Sequence, residues 1–314
     1  MTTLLVADDL FLEHLTPTGH PERPDRLRAI ARALSAERFA GLKRVAPRPA
    51  DDAVLATAHD PRYIAGVRAA IPAEGIAQLD ADTWVSPRSF EVALNAVGAS
   101  LLAVDAVFAG DAANAFCAIR PPGHHAERDQ AMGFCLFANA VIAARHAQAV
   151  HGARRVAIVD WDVHHGNGTQ AIVWDDPSIL YGSTHQMPLY PGTGAADETG
   201  AGNIFNAPLA PGSGSVEFVD AFESRILPAV DRFAPDLIII SAGFDAHWRD
   251  PLASVNLDDG DFAWATERLM EIAAKHSGGR IVSLLEGGYD LKGLSDSVAA
   301  HVATLMGASA RSGE

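Results

Sequence analysis

Cysteine and basic residues are both scarce in this 314-residue sequence. Its two cysteines, Cys117 and Cys135, cannot form a disulfide framework, and nothing else indicates an oxidising compartment. The 24 lysines and arginines are outnumbered by 39 aspartates and glutamates, which gives a formal net charge of -15. That balance leaves no basic surface for a nucleic-acid backbone, so we expect no nucleic-acid partner. It mildly favours cationic substrates such as Lys-rich peptides or polyamines.

The sequence also lacks the features of a secreted or membrane-spanning chain. The first ten residues contain Asp8 and Asp9 and no basic residue, which is unlike a signal peptide. No apolar run approaches about 20 residues, the length needed to span a bilayer. We therefore expect a cytoplasmic protein without a membrane partner. The 48% hydrophobic content suits a large core, and no linker interrupts residues 1–314, so a single domain is expected.

Short apolar runs alternate with segments of helical periodicity over most of the chain. This alternation predicts βαβ units and hence an α/β fold, with a mainly parallel sheet covered by helices on both faces. The predicted strands cover residues 115–119, 156–159, 179–183, 237–240 and 281–285. The predicted helices begin near Pro24, occupy 51–71 in two pieces broken at Asp60-Pro61, and cover 86–108, 139–150, 216–233, 259–275 and 295–306.

Polar or glycine-rich residues directly follow each of the five predicted strands. Because the carboxyl ends of parallel strands lie at one edge of a sheet, these segments should meet there. That convergence favours an active site at this edge. The segments are residues 120–125, 160–169, 184–185, 242–245 and 286–289.

The segment after the second predicted strand, Asp160-Trp-Asp-Val-His-His-Gly-Asn-Gly-Thr169, carries two carboxylates and two imidazoles. Side chains two residues apart on an extended segment point to the same side, so Asp162 and His164 can converge. A carboxylate and an imidazole suit zinc or a similar divalent metal, and Asp245 can supply a third ligand. Three protein ligands leave a position for a water, which the metal would activate. The alternative is that the aspartates cap the next turn while the histidines only pack.

Two adjacent histidines follow the first predicted strand. His124 or His125 could be a general base, because imidazole titrates near neutrality. Asp160 and Asn167 are candidates to orient a catalytic histidine through its other ring nitrogen. Tyr289, at the end of the last segment, could donate its hydroxyl to a developing oxyanion. A core tyrosine at a helix entry is the alternative for Tyr289.

Five motifs follow one another along the chain: Arg120-Pro-Pro-Gly-His-His-Ala126, Gly133-Phe-Cys135, Asp160-x-Asp-x-His-His-Gly-Asn-Gly168, Pro191-Gly-Thr-Gly194 and Glu286-Gly-Gly-Tyr289. In this order they resemble the histone deacetylase superfamily, which includes bacterial histone-deacetylase-like amidohydrolases and acetylpolyamine amidohydrolases. The resemblance runs from about His14 to Tyr289. It implies the arginase-deacetylase fold, with a mainly parallel sheet of about eight strands, and hydrolysis of an acetylated amine at one zinc.

The resemblance also implies roles for single residues. His125 would be the general base that later protonates the leaving amine, and His124, paired with Asp160, would assist electrostatically. Tyr289 would bind the substrate carbonyl oxygen. Asp160 and Ser183 match a monovalent cation site, usually potassium. The zinc ligands would be Asp162, His164 and Asp245, and the substrate tunnel would be formed by Gly133, Phe134 and Tyr190.

Three positions depart from the commoner pattern of that family. Asn167 stands where many members have an acidic partner for the general-base histidine, and a neutral partner should raise the histidine pKa less. Tyr190 replaces phenylalanine in the tunnel and adds a hydroxyl that needs a partner. Leu252 occupies a rim position at which a polyamine-selective branch has glutamate, so leucine is similar to the acyl-lysine branch instead.

The leading interpretation is a zinc-dependent deacetylase acting on acetyl-lysine side chains or related small acylated amines. Acetylpolyamine hydrolysis stays open, since the net charge of -15 suits a polyamine. Asp245-Ala-His247 echoes a two-metal ureohydrolase of the same fold, but Arg249 stands where that site needs an aspartate. A non-catalytic acyl-lysine binding module is the remaining alternative. Iron in place of zinc and assembly as a homo-oligomer are both left open.

Overall fold

The computed structural model describes residues 2–307, which are built around a sheet of eight parallel strands. These are β1 (Thr3–Val6), β2 (Lys43–Val45), β5 (Asn114–Cys117), β6 (Val156–Asp160), β7 (Ile179–Gln186), β8 (Ile204–Leu209), β9 (Leu237–Ala242) and β10 (Ile281–Leu285); β3 (Ala77–Gln78) and β4 (Trp84–Val85) form a separate antiparallel pair. The sheet order is β2-β1-β5-β10-β9-β6-β7-β8. All eight carboxyl ends therefore lie at one edge of the sheet.

Five of these strands, β5, β6, β7, β9 and β10, confirm the predicted apolar runs. Each is completely buried, as expected for strands covered on both faces. Strands β1, β2 and β8 were not predicted from the sequence pattern. β2 is an edge strand with exposed Lys43 and Arg44, β8 is the opposite edge and contains Pro208, and β1 has only four residues. The eight-stranded parallel sheet implied by the family resemblance is confirmed.

Helices cover the sheet. Their bounds follow the predicted segments with two main shifts, and α6 (Asn167–Val173) was not predicted. A π-helical turn at Phe222–Ile226 divides the segment predicted at 216–233. The last helix begins at Leu291, before the predicted start, because the Asp290 side chain caps it by accepting from Gly293 N (2.8 Å). The helices are α1 (Asp25–Ala33), α2 (Asp52–Leu55), α3 (Pro61–Ala69), α4 (Ser89–Ala109), α5 (Asn139–His151), α6 (Asn167–Val173), α7 (Ser215–Ala221), α8 (Leu227–Phe233), α9 (Asp259–His276) and α10 (Leu291–Leu305).

The helices pack on the sheet in two groups. One contains α4 and α5, which pack on each other and reach β5, β6, β9 and β10; the other contains α1, α9 and α10. By length and composition, α4 alone among the described helices could cross a membrane, which corrects the expectation that no apolar run approaches that length. Most of α4 is nevertheless buried inside the fold, as is usual for a core helix.

Candidate active site

The carboxyl edge of the sheet brings the predicted site segments together. β6 lies between β9 and β7, so that Asp160 is in register with Ser241 on one side and Ser183 on the other. β10 and β5 follow on the β9 side. The residues after β5, β6, β9 and β10 therefore surround one buried point.

Asp162, His164 and Asp245 form a buried triad at this point. His164 Nδ1 lies 3.1 Å from Asp162 Oδ1 and 3.1 Å from Asp245 Oδ2. The main-chain N–H groups of Val163 and His164 donate to Asp245 Oδ1 (2.8 Å) and Asp162 Oδ1 (2.9 Å), which keeps both carboxylates facing the imidazole. One ligand atom from each residue lies within 4.8 Å of the others. Two carboxylate oxygens and one imidazole nitrogen are a donor set for a divalent metal.

The packing behind the triad leaves space only for glycine. A Cβ at Gly287 would lie 2.2 Å from Asp245 Oδ2 and 2.5 Å from Asp162 Oδ2, and one at Gly243 would lie 2.2 Å from Asp162 Oδ2. Burial and the charge of Asp162 raise the pKa of Asp245 to about 7. A divalent cation would neutralise these two buried carboxylates, so the residues fit the metal that the sequence predicts.

His124 and His125 lie beside the triad, and their hydrogen-bond partners differ. His124 Nδ1 is 3.0 Å from Asp160 Oδ2. His125 Nδ1 is 2.8 Å from Asn167 Oδ1, and the Asn167 amide nitrogen in turn donates to Glu127 Oε1 (2.6 Å). Glu127 therefore fixes the orientation of the amide, whose oxygen accepts from a protonated Nδ1. His125 Nε2 is then left free to accept a proton.

The pKa values of the two histidines are shifted in opposite directions by their surroundings. Burial opposes protonation of His124, but the carboxylates of Asp162 and Asp160 outweigh it and raise its pKa to about 10. Burial, reinforced by the charges of His124 and His164, lowers the pKa of His125 well below its usual 6.5. A cationic ring thus lies next to a neutral ring, and the neutral one has the protonation state of a general base.

Glu286, the first residue after β10, holds the histidine loop in place. Its Oε2 accepts hydrogen bonds from the main-chain N–H groups of Gly123 (2.7 Å) and His124 (3.2 Å). Burial, reinforced by the charges of Asp160 and Asp162, outweighs the charge of His124 and raises the pKa of the Glu286 carboxyl to about 7. This role was not predicted from the sequence, although a charge directly after a buried strand is a signal that a partner is buried with it.

A buried ion network beside the site was also missed. Arg120 Nη2 donates to Glu22 Oε2 (2.7 Å), Arg120 Nε contacts Glu22 Oε1, and Arg26 Nη1 donates to Glu22 Oε1 (3.2 Å). Arg26 Nε also donates to the carbonyl oxygen of Gly288 (2.7 Å). All three charged side chains are fully buried. The network therefore connects the N-terminal segment to the loop that carries Tyr289.

Tyr289 lies between this network and the approach to the site. The Arg26 guanidinium is 5.1 Å from its ring centroid, and the Phe134 ring meets it edge-to-face at 5.8 Å. Its main-chain N–H donates to Asp250 Oδ2 (2.7 Å). Burial and the charge of Asp245 raise the pKa of the Tyr289 hydroxyl well above its usual range, so the hydroxyl stays protonated and can donate a hydrogen bond.

Gly133 and Phe134 form one side of the approach to His125. A Cβ at Gly133 would lie 2.3 Å from the His125 ring, so the backbone lies directly against the imidazole. Both residues have positive φ, 55° and 68°. Their N–H groups are bound by the Asp82 carboxylate (3.0 Å) and the Thr83 hydroxyl oxygen (3.1 Å). These two supports of the loop were not predicted.

Tyr190 forms the other side of this approach. Its ring is perpendicular to that of His125 at 5.2 Å, and 40% of the residue is exposed. Burial and the charge of Asp82 raise the pKa of its hydroxyl. The Asp82 carboxylate also binds the Gly133 N–H (3.0 Å) on the other side of the approach. Leu252 is half-buried, and its N–H donates to Asp250 Oδ1 (3.0 Å), the same carboxylate that binds the loop after β10.

Asp160 and Ser183 are adjacent on paired strands and fully buried. Asp160 Oδ2 also accepts from the Tyr181 hydroxyl (3.1 Å), and Ser183 Oγ lies 2.9 Å from His185 Nδ1. The Ser241 hydroxyl, on the other side of Asp160, is buried without a hydrogen-bond partner among the described residues. Buried carboxylate and hydroxyl oxygens suit a hard cation, so these residues fit the predicted potassium.

His247 does not join the triad. Its Nε2 lies 3.4 Å from Asp259 Oδ1, and its Nδ1 accepts from the main-chain N–H of Arg249 (3.1 Å). Both ring nitrogens are engaged elsewhere, and the neighbouring Arg249 supplies a cation where a second metal would need a carboxylate. This geometry disfavours the two-metal alternative.

Comparisons with known proteins agree with one another. Residues 20–305 match the family described as "Histone deacetylase domain". The chain is 42% identical to the histone deacetylase-like amidohydrolase of Pseudomonas aeruginosa over 86% of this chain and 73% of that protein. It is 38% identical to the human polyamine deacetylase HDAC10 over 98% of this chain and 48% of that protein. The crystal structure of the HDA15 HD domain is similar with a TM-score of 0.92 at 38% identity, covering 98% of this chain and 88% of that one.

Proposed function

We propose, because this chain belongs to the histone deacetylase family, that it is a zinc-dependent deacetylase of acetyl-lysine side chains or related small acylated amines. Membership makes it a hydrolase that acts on amides. The zinc, the acyl-lysine substrate, a cytoplasmic location and the extent of one deacetylase domain over residues 1–314 are our proposals. The observation that carries the proposal is the convergence of the triad, the histidine pair and Tyr289 at one edge of the sheet.

Asp162, His164 and Asp245 would hold the metal. A zinc ion bound there would act as a Lewis acid, which lowers the pKa of a water molecule and polarises an amide carbonyl. Main-chain N–H groups and the adjacent glycine backbone orient both carboxylates toward the metal position.

His125 would move the protons of the reaction. Its neutral Nε2 accepts a proton from the attacking water while Nδ1 stays bonded to Asn167. The same Nε2 proton then passes to the amine nitrogen as the carbon–nitrogen bond breaks, which yields acetate and the free amine. His124, kept cationic by Asp160, and the Tyr289 hydroxyl would stabilise the negative charge that develops on the carbonyl oxygen.

The residues around the entrance would bind the aliphatic part of the substrate. Phe134 and Tyr190 supply aromatic surface on either side of His125, and Gly133 leaves room beside its ring. Asp160, which is also the hydrogen-bond partner of His124, and the adjacent Ser183 would hold a potassium ion with a structural role.

A second candidate substrate is an acetylated polyamine. Leu252 at the rim favours the acyl-lysine substrate, because it offers no charge to a distal amine. The carboxylate of Asp82, which binds the Gly133 N–H beside the approach, favours a cationic amine instead, as does the net charge of -15. Both candidate substrates would be hydrolysed by the same chemistry. They differ only in the part of the substrate that lies outside the tunnel, which is a peptide in one case and a distal amine in the other.

The test is acetate release by zinc-loaded protein, measured side by side on an acetyl-lysine peptide and on acetylputrescine. We expect a higher kcat/KM for the peptide, whereas a higher value for acetylputrescine would support the second candidate. Asp162→Asn is the inactive control, because it removes one ligand charge and keeps the side-chain shape.

Zinc and iron content measured on the same samples identifies the metal. Full activity in Asp162→Asn would contradict the metal assignment. Tight peptide binding by zinc-loaded protein without acetate release from either substrate would support the non-catalytic binding module instead.

A further inference from the structure

A second group of metal-ligating side chains lies on the surface of α4 and α5. His146 Nε2 and His151 Nε2 both lie 2.7 Å from the same atom, Asp105 Oδ1. One ligand atom from each residue lies within 4.8 Å of the others. Asp105 is near the end of α4 and His151 ends α5, just before β5 and β6 begin. The group is therefore at the amino edge of the sheet, opposite the candidate active site.

We propose that Asp105, His146 and His151 form a second metal site, which binds a divalent transition-metal ion such as zinc or nickel. Imidazole nitrogen suits this class of ion, and a carboxylate oxygen completes a three-residue set that leaves a fourth position for water. This site is independent of the proposed deacetylase chemistry, because it shares no residue with the catalytic edge.

The imidazoles of this site are already held in place by packing. The His151 ring stacks on Phe108 with centroids 4.7 Å apart and planes 7° apart. The side chains of His146 and His151 are only 15% and 21% exposed, whereas that of Asp105 is 53% exposed. The rings are thus restrained by the protein while the carboxylate remains open to solvent, which gives an ion a path of entry.

A similar cluster around Asp231 shows what distinguishes this group from an ordinary surface ion pair. Asp231 Oδ1 also receives two groups, His276 Nε2 (2.8 Å) and Lys275 Nζ (2.8 Å). An ammonium has no lone pair for a metal, so Asp231 offers an ion only one imidazole. Asp105 faces two imidazoles, each of which can present a nitrogen lone pair once its Nε2 proton is displaced.

The experiment measures zinc bound per chain. Metal-free full-length protein is incubated with excess zinc, desalted and analysed for metal. We expect two equivalents for the wild-type chain and one for the double variant His146→Gln/His151→Gln. Asp162→Asn is expected to retain the surface equivalent, and combining all three substitutions should remove both. His276→Gln is the matched control and should leave two equivalents.

Deacetylase activity provides an independent readout. The double variant should keep wild-type kcat/KM, because its residues lie at the opposite edge of the sheet. Asp105→Asn preserves the shape of the ligand without its charge, and we expect about tenfold weaker zinc binding at this site in a chelator competition. A single equivalent in the wild-type chain, or a surface equivalent that survives His146→Gln/His151→Gln, would overturn the proposal.

Discussion

The candidate active site has a floor and a rim that are built in different ways. The floor consists of residues at or just beyond the carboxyl ends of central strands, and its side chains are almost completely buried. The rim consists of residues on longer loops, and 40% of Tyr190 is exposed. The floor comprises Asp160, Asp162, His164, Asp245 and Glu286, and the rim comprises Phe134, Tyr190 and, by our proposal, Leu252.

This difference has a physical origin. The register of β6 against β9 and β7 fixes the floor, since a slip would move every side chain of a strand to the other face of the sheet. The rim has no such ladder and depends on individual hydrogen bonds from side chains such as Asp82 and Asp250. We therefore expect floor substitutions to disturb folding and chemistry, and rim substitutions to change the choice of substrate.

The largest effect should come from the ion network that supports the floor. Glu22→Gln leaves Arg26 and Arg120 buried without their carboxylate, and we expect a loss of about 3–5 kcal/mol in the free energy of unfolding. Burial opposes ionisation of Glu22, but the two arginines lower its pKa to about 2. Its stabilisation is therefore complete above the unfolded pKa of about 4.5 and is lost as the pH falls toward 2.

Urea unfolding at pH 7 and at pH 3 measures this loss. The exposed pair of Arg88 and Glu91 is the matched control, and Glu91→Gln should change the midpoint little. An equally small change for Glu22→Gln would show that the floor does not depend on the buried network.

The second effect tests how closely the floor is packed. A Cβ at Gly287 would lie 2.2 Å from Asp245 Oδ2, so Gly287→Ala must displace the carboxylate of a proposed metal ligand. We expect kcat/KM to fall by about 100-fold and zinc affinity to fall with it, in line with the effect of misplacing a catalytic group by about 1 Å. Acetate release and zinc content measure the two losses.

Gly66 is the matched control for this change. It lies inside α3 with nothing within 4 Å of its ideal Cβ, so Gly66→Ala should leave activity unchanged and increase stability slightly. If Gly287→Ala kept full activity and zinc, the floor would be less rigid than its packing indicates.

Much of the floor could be predicted from sequence, because short-range rules determine it. The apolar runs located the central strands, at whose carboxyl ends Asp162 and His164 were expected to meet. The two residues do meet, but through a bend in which His164 N–H donates to Asp162 Oδ1, and not on the extended segment that the prediction assumed. The supports of the floor were missed because their partners are far apart in the chain. Glu22 and Arg120 are 98 residues apart, and no local pattern connects them.

The rim could be predicted only in outline. The family resemblance predicted that Phe134 and Tyr190 line the tunnel. The positive φ of Phe134 is unusual for a residue that is not glycine, and no sequence pattern predicted it. Its support by Thr83 spans 51 residues of sequence. Loop conformations of this kind depend on tertiary hydrogen bonds, which sequence periodicity does not encode.

A third, smaller effect lies at the junction of floor and rim. Asn167→Asp, made together with Glu127→Gln because the Asn167 amide donates to Glu127 Oε1, gives His125 a charged partner, which should raise the His125 pKa from its lowered value. Because a general base must be neutral, the acidic limb of the pH dependence of kcat/KM should move upward by about one pH unit. Asn167→Ala, which removes the acceptor without adding charge, should lower the rate with no such upward shift. An acidic limb that stayed in place in Asn167→Asp would mean that another group limits the rate at low pH.

The smallest effect should come from the rim itself. Leu252→Glu adds a charge near the entrance without touching the floor, so it should favour the substrate that carries a distal amine. An exposed charge pair contributes at most about 1 kcal/mol, which corresponds to a change of about fivefold in the kcat/KM ratio of acetylputrescine to acetyl-lysine peptide. Leu252→Gln separates charge from shape and should leave the ratio near that of the wild type. An equal loss of activity on both substrates in both variants would mean that Leu252 supports the floor through its contact with Asp250. Leu252 would then belong to the floor and not to the rim.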